Sequence, residues 1–275
     1  MTQAIAISSR PTGRLGTRVC GFQIVERIAE GDGAVVYRAS DDKRDVAVKI
    51  YERGADAPID PRALVESAAQ GLVQHPAVAR LIDATLLADG AYCLVSDWIH
   101  GVPLTAVIAE APSWERVRRI VESINAGLGA IHAAGVIHRD LSPDNILAPR
   151  AQAPAAVIID FSNALVQDGV RAPASAGHGA KPYAAPEQAA GLPLDGRADL
   201  YALGVVLYEL LTGSLPDDDL TPPRTRAPDR DIPVVAEELC MWLLAKDRDA
   251  RVPSSRVLAV TLGAVAAEHT NGGQP

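Results

Sequence analysis

The spacing of apolar residues along the chain changes character near residue 100. Between Cys20 and Ile50 three short runs, "FQIVERIAE", "AVVYRAS" and "DVAVKI", are separated by Gly- and Asp-containing turns and rich in β-branched residues. Successive strand side chains point to opposite faces, so such runs predict three β-strands. "PRALVESAAQGLVQ" then opens on Pro and carries Leu64, Ala68, Gly71 and Leu72 at near-helical spacing, which predicts a helix. "ARLIDATLLADGAYCLVSDWI" predicts a hairpin turning at Asp89-Gly90.

Beyond Gly101 the period lengthens to that of a helix. "ERVRRIVESINAGLGAIHAAG" predicts a long helix closed by Gly135, and "ADLYALGVVLYELLTG" a strongly apolar one closed by Gly213. "AVIIDF" predicts a short buried strand ending in Asp160, while "PVVAEELCMWLLAK" and "SSRVLAVTLGAVAAEH" predict further helices. The expected architecture is α+β: a small, mainly β lobe joined by a short connector to a larger, mainly α lobe. A ligand cleft between two lobes is the default expectation for such a chain.

Composition narrows the function classes. The chain has 275 residues, enough for one large domain or two lobes with substantial cores. A formal charge of −8 argues against nucleic acid as a partner, since such binders usually carry a basic stripe. Cys20, Cys93 and Cys240 lie far apart and form no C-x-x-C pair, so neither a disulfide scaffold nor a zinc site is expected. The cytoplasm, a reducing compartment, is the expected location. No apolar run approaches the length of a membrane span. The first residues, "MTQAIAISSRPTGRLGTR", lack the apolar centre of a signal peptide and read as a disordered tail.

Four stretches carry the candidate chemistry. In "IAEGDGAVVY", Gly31 and Gly33 would let the backbone approach phosphate oxygens, although an ordinary β-turn looks the same. Lys49 in "VAVKI" needs a partner within an apolar strand, and Glu66 on the next helix is the candidate. "VIHRDLSPDNIL" packs Asp140 and Asn145 five residues apart, suited to accepting a hydroxyl proton and to coordinating a metal. Asp160, at the end of "AVIID", suits a Mg²⁺ carboxylate beside a triphosphate. Buried structural hydrogen bonding is the plainer explanation of each taken singly; their order is what argues for a common site.

These stretches, with "DFS" at Asp160 to Ser162 and "APE" at Ala185 to Glu187, resemble the signature set of the eukaryotic-type protein kinases, in their bacterial serine/threonine branch. The resemblance runs from about Cys20 to Leu262 and implies a bilobal kinase fold. The domain it implies spans 20–268, with an N-lobe over 20–98 and a C-lobe over 101–268, between tails at 1–19 and 269–275. It also implies transfer of the γ-phosphoryl group of ATP to a Ser or Thr hydroxyl of a protein, this chain included, with Mg²⁺, or Mn²⁺ in its place, as the metal. Lys49, held by Glu66, would grip the α- and β-phosphates; Asn145 and Asp160 would hold the metal; Asp140 would orient and deprotonate the acceptor. Ile28, Gly31, Gly33, Val36, Ala47 and Leu147 would line the nucleotide site, with Ser96 as gatekeeper and Asp97 to Ile99 offering backbone to the adenine. Asp199 would brace the loop that carries Asp140, and Arg251 would pair with Glu187.

The chain departs from the family pattern at several points. Ala29 and Ala34 stand where glycines are usual, Ser162 replaces the Gly after Asp-Phe, and Gln70 replaces an apolar residue one turn after Glu66. Ser142 and Ala180 stand where the family usually has a Lys and a Thr; Lys181, read most simply as an exposed loop lysine, is the candidate to supply the missing cation. Ser162 and Ser175 are the aliphatic hydroxyls of the activation segment. A pseudokinase or ATP-binding regulatory module, and a small-molecule kinase of related fold, are the alternative readings these departures leave open.

Overall fold

The computed structural model describes residues 14–31, 33–52, 58–150, 153–167 and 182–271. The chain divides into two compact units, Met1–Ala63 with Leu81–Trp98, and Leu64–Arg80 with Ile99–Pro275. The first is built on a six-stranded antiparallel sheet of β1 (Arg18–Val19), β2 (Phe22–Gly31), β3 (Ala34–Ser40), β4 (Asp45–Tyr51), β5 (Leu81–Leu86) and β6 (Tyr92–Asp97), in the order β1-β2-β3-β4-β6-β5. The three expected strands and the hairpin are all present. The hairpin turns through Gly90, whose φ is +90°, with the Ala91 N–H donating to the Asp89 carboxylate at 3.1 Å.

Strand alternation decides what the sheet offers on each face. Along β4, Val46, Val48 and Ile50 are fully buried and pack with Ile24, Tyr37, Ala39, Cys93 and Val95. Ala47 and Lys49 lie half-exposed on the opposite face. Truncating a side chain like Ile50 to Ala would cost about 2–5 kcal/mol, because the close-packed layer cannot collapse into the void. The sheet also reaches further toward the N-terminus than expected. Arg18 and Val19, inside the expected 1–19 tail, pair with Gln23 and Phe22, and Arg14 bonds Glu52 in the same unit.

Helix α1 (Pro61–Gly71) is present, but the apolar positions whose spacing suggested it do not form its buried face. Leu64, Ala68, Gly71 and Leu72 are exposed, Leu72 by 54%. The buried face carries Val65, Glu66, Ala69 and Gln70, followed by Val73 beyond the helix end. Two polar residues on a buried face mask the apolar stripe. Gln70 offsets the cost of its burial by donating to the Ala79 carbonyl at 2.8 Å.

The second unit contains β7 (Gly101–Pro103), α2 (Leu104–Ala109), α3 (Trp114–Ala133), β8 (Val136–Ile137), β9 (Ile146–Pro149), β10 (Val157–Ile158), β11 (Leu165–Val166), α4 (Pro186–Ala189), α5 (Arg197–Thr212), α6 (Pro223–Arg226), α7 (Val234–Leu243) and α8 (Ser255–Asn271). On α3, Val117, Ile120, Val121, Ile124, Leu128 and Ile131 form one buried stripe at helical spacing. Helix α5 is apolar nearly all round and is accordingly the central helix of the unit's core, with Leu200, Leu203, Val205, Val206, Leu207 and Leu210 fully buried. Gly213 takes the left-handed conformation at its end and returns its N–H to the Glu209 carbonyl at 2.7 Å, and Gly135 follows α3 with φ +71°. Strands β10, β9 and β7 form one small sheet and β11 and β8 another. Helix α8 continues to Asn271, past the expected domain end at 268. Among the described residues no helix is long and apolar enough to cross a membrane.

Candidate active site

The loop after β8 is organised by one buried carboxylate. Asp199, at the start of α5, accepts the backbone N–H of His138 at 2.9 Å and of Arg139 at 2.8 Å. His132, from the last turn of α3, adds a third contact at 2.8 Å. Burial alone would raise the Asp199 carboxyl, but its bond to His132 and the donors and charge of that histidine and His138 outweigh it and hold the group below its ordinary value. The brace expected from the sequence is therefore in place, with His132 an addition to it.

Arg139 and Asp160 both have φ near +62°, a conformation that costs a side-chain-bearing residue about 1–2 kcal/mol. Each is held there by hydrogen bonds. The Arg139 carbonyl accepts from Gln188 Nε2 at 2.8 Å, and its Nε donates to the Asn163 carbonyl at 2.6 Å. The Asp160 carboxylate accepts the Ser162 N–H at 2.9 Å. Strain compensated this locally is common where side chains are aimed for function. It also ends β10 at Ile158, two residues before the Asp160 that was expected to close the strand.

Asp140 and Asn145 belong to one hydrogen-bonded turn. The Asn145 amide donates to the Asp140 carbonyl at 2.8 Å and lies 3.4 Å from its carboxylate Oδ2. Asn163 Nδ2 donates to that same Oδ2 at 2.8 Å. The Ile159 N–H donates to the Asn145 carbonyl at 2.9 Å, which ties the Asp160 segment to the turn. Phe161 is fully buried and meets the His138 ring edge-on at 5.0 Å. Ser162 is absent from the non-glycine residues with positive φ, so replacing the usual Gly strains nothing in this conformation.

The Asn145 amide nitrogen is committed to Asp140, which leaves its Oδ1 as the atom that could serve as an oxygen ligand. Together with the Asp160 carboxylate it offers the hard oxygen donors that Mg²⁺ prefers, few in number because phosphates and water complete the shell. ATP and Mg²⁺ thus fit the residues present. Among the described residues no group of three His, Cys, Asp or Glu could hold a metal ion.

In the first unit, Val36 lies directly opposite Lys49, and Lys49 opposite Leu94, across β3, β4 and β6. Ala47 lies opposite Ser96, so two of the residues expected at the nucleotide site share one row. Lys49 Nζ stands 5.5 Å from the Tyr51 ring. Gly31 closes β2 opposite Ala34, and Gly33 has φ +80°, a conformation that favours Gly. Ala29 pairs with Val36 beside a bulge and Ala34 pairs with Gly31, and neither has a positive φ, so alanine strains neither position. Ile28 is 45% exposed, at a bulge between Arg27 and Ala29. Asp97 ends β6 in the first unit, whereas Ile99 and Leu147 belong to the second. Glu66, 3% exposed, belongs to the part of α1 that packs with the second unit. Ser175, Ala180 and Lys181 lie outside the described residues, and with them the candidate substitute cation.

Further along, Arg251 grips Glu187 with two bonds of 2.7 and 3.1 Å. Tyr183 donates to Glu209 at 2.7 Å. Burial, that bond and the nearby charges of Glu209 and Asp144 all raise the Tyr183 phenol. Burial also raises Glu209, less so for the bond from Tyr183 and more so for the charge of Asp144. Asn163, Gln188 and His132 were missed by the sequence reading: each is an ordinary polar residue until the chain reversal that brings it to the loop is known.

The protein kinase domain model matches residues 22–260. The serine/threonine-protein kinase Pkn1 of Myxococcus xanthus is 33% identical over 93% of this chain, and PkaB of Streptomyces coelicolor is 32% identical over 91%. The chain spans 40% and 63% of those relatives, respectively. The solved PknI kinase domain of Mycobacterium tuberculosis, 22% identical, superposes with a TM-score of 0.69 over 93% of this chain and 99% of that one, which speaks for the fold. The brace on Asp199, the Asp140–Asn145 turn and the Arg251–Glu187 pair thus have a common origin: the chain belongs to the protein kinase domain family.

Proposed function

We propose that this chain is an ATP-dependent protein kinase that transfers the γ-phosphoryl group to Ser or Thr hydroxyls of proteins, itself included. The observation that carries this reading is the loop built on Asp199, in which a buried carboxylate fixes two successive N–H groups and so orients Asp140 and Asn145 in one turn. Phosphoryl transfer needs positioning and charge stabilisation more than covalent chemistry, and a rigid loop of this kind supplies positioning. Asp140 accepts the proton of the attacking hydroxyl and orients its oxygen. Asn145 and Asp160 hold Mg²⁺, and Lys49 binds the α- and β-phosphates. When bound, Mg-ATP supplies the phosphoryl group and a cation to offset the charge that develops on it. Ile28, Gly31, Gly33, Val36, Ala47, Ser96, Asp97, Ile99 and Leu147 contact the nucleotide. The serine/threonine-protein kinase names of the relatives support the acceptor class. The free thiols Cys20, Cys93 and Cys240 support a cytoplasmic site of action.

The test is incubation of the purified chain with labelled ATP and Mg²⁺, alone and with a generic basic protein, beside Asp140→Asn. Label in protein with the wild type and its loss in the variant is the expected result. Nucleotide binding without transfer would instead identify a regulatory module, the reading that Ser142 favours.

A further inference from the structure

We propose that Asn163 is a positioning residue for phosphoryl transfer: its side-chain amide fixes the orientation of the Asp140 carboxylate. The inference rests on Asp140 being the base, as above, and adds a residue outside that machinery.

The placement follows from a short stretch of pairing. Strands β8 and β11 are antiparallel, with Ile137 opposite Leu165 and Val136 opposite Val166. Continuing that register by two residues sets Asn163 opposite Arg139, next to Asp140. The pairing itself stops at Ile137 and Leu165; Arg139 turns away with φ +62°, and its side-chain Nε donates to the Asn163 carbonyl at 2.6 Å. The Asn163 side chain then reaches Asp140 Oδ2 at 2.8 Å, whereas Asn145 stands 3.4 Å from the same oxygen and gives its 2.8 Å bond to the main chain.

A hydrogen bond to an ionised carboxylate is short and strong, and the difference between 2.8 and 3.4 Å separates a well-formed bond from a marginal one. A carboxylate otherwise rotates about its terminal torsion in a broad, shallow well. Anchoring Oδ2 therefore sets the direction of Oδ1, the oxygen turned toward the incoming hydroxyl in this reading. The amide has a second consequence. Because it donates and carries no charge, it orients the base without competing for the proton.

The main-chain carbonyl and the side chain of Asn163 have separate partners, so the two can be tested apart. Asn163→Ala retains the acceptor for Arg139 and removes only the amide. The expected result is a fall in kcat of about 10–100-fold, with KM for ATP and for the protein substrate within twofold of wild type. Asn163→His carries an Nδ1–H the same number of bonds from Cα and should recover much of the loss. Asn163→Asp, isosteric but lacking the donor, should be at least as slow as the alanine variant. In an Asp140→Asn background the Asn163→Ala change should have little further effect, giving strong non-additivity.

An unchanged kcat for both Asn163→Ala and Asn163→Asp overturns the inference, as does full additivity with Asp140→Asn. A parallel loss of melting temperature and kcat in every variant also overturns it, by reducing Asn163 to a structural role. If Asp140→Asn itself transfers phosphate at the wild-type rate, the functional reading fails first, and the two failures are told apart.

Discussion

Arg251 holds Glu187 in a two-pronged ion pair inside the second unit, its side chain fully buried and that of Glu187 8% exposed. The same guanidinium donates to the Arg197 carbonyl at 2.7 Å and to the Ala245 carbonyl at 3.1 Å. One side chain thus links α4, the start of α5 and the loop after α7. Breaking a buried pair from one side costs about 3–5 kcal/mol, because the remaining charge is left in low dielectric. Arg251→Ala should lose stability on that scale in urea unfolding. Arg251→Lys should recover only part of it, since an ammonium cannot reproduce the fork.

Acid should unfold this pair in a predictable window. Burial would raise the Glu187 carboxyl, but the bond from Arg251 prevails and holds it below its ordinary value. Asp199 is shifted the same way. A carboxyl depressed in the fold stabilises fully above its unfolded pKa, and that contribution drains away as pH falls through the folded pKa. Wild-type stability should therefore fall steeply below about pH 4. Glu187→Gln should be less stable than wild type at pH 7, and the gap should narrow toward pH 3. A gap that does not change with pH would show that the Glu187 charge is irrelevant.

Two substitutions probe the proposed transfer site. Asp140→Asn should slow phosphoryl transfer by about 10²–10⁴-fold while leaving ATP affinity in place. Asp160→Asn should weaken ATP binding more with Mg²⁺ than without it, as read by calorimetry under both conditions. Equal losses would count against a metal ligand at Asp160.

Packing sets a fourth expectation. A Cβ on Gly204 would come within 2.8 Å of Leu243 Cβ and 3.2 Å of the Leu243 backbone, where α5 lies against α7. Alanine is favoured over glycine in a helix by about 1 kcal/mol, but overpacking costs about 1–3 kcal/mol. Gly204→Ala should therefore be neutral to destabilising, and a raised urea midpoint would show that the two helices can part.

What could be read in the sequence depended on how local the physics was. Strands β2 to β4 and the helices α3 and α7 announce themselves because one face of each is apolar at a fixed period, and α5 because it is apolar nearly all round. Helix α1 differs: Glu66 and Gln70 occupy its buried face, and Leu64 and Leu72 its exposed one. The residues of the candidate site were named where motif order carried them, as with Asp140, Asn145, Asp160 and Asp199. Asn163 was not, because its significance depends on the two-residue pairing of β8 with β11, which has no periodic signal. His132 was hidden similarly: its partner Asp199 lies 67 residues away in the chain.

The division of the chain has a consequence for how this protein can be cut. Residues 64–80 pack with 99–275, yet the chain returns to the first sheet for 81–98 before leaving it again. No single break separates the two units. A fragment ending at Trp98 would carry Val65, Ala69 and Val73 without the core that buries them, and one starting at Ile99 would lack those side chains and the Gln70–Ala79 bond. Neither half made alone should reach its native core. On the ribosome residues 64–80 emerge before the rest of the second unit, so they must wait through the synthesis of 81–98 for the core that buries them.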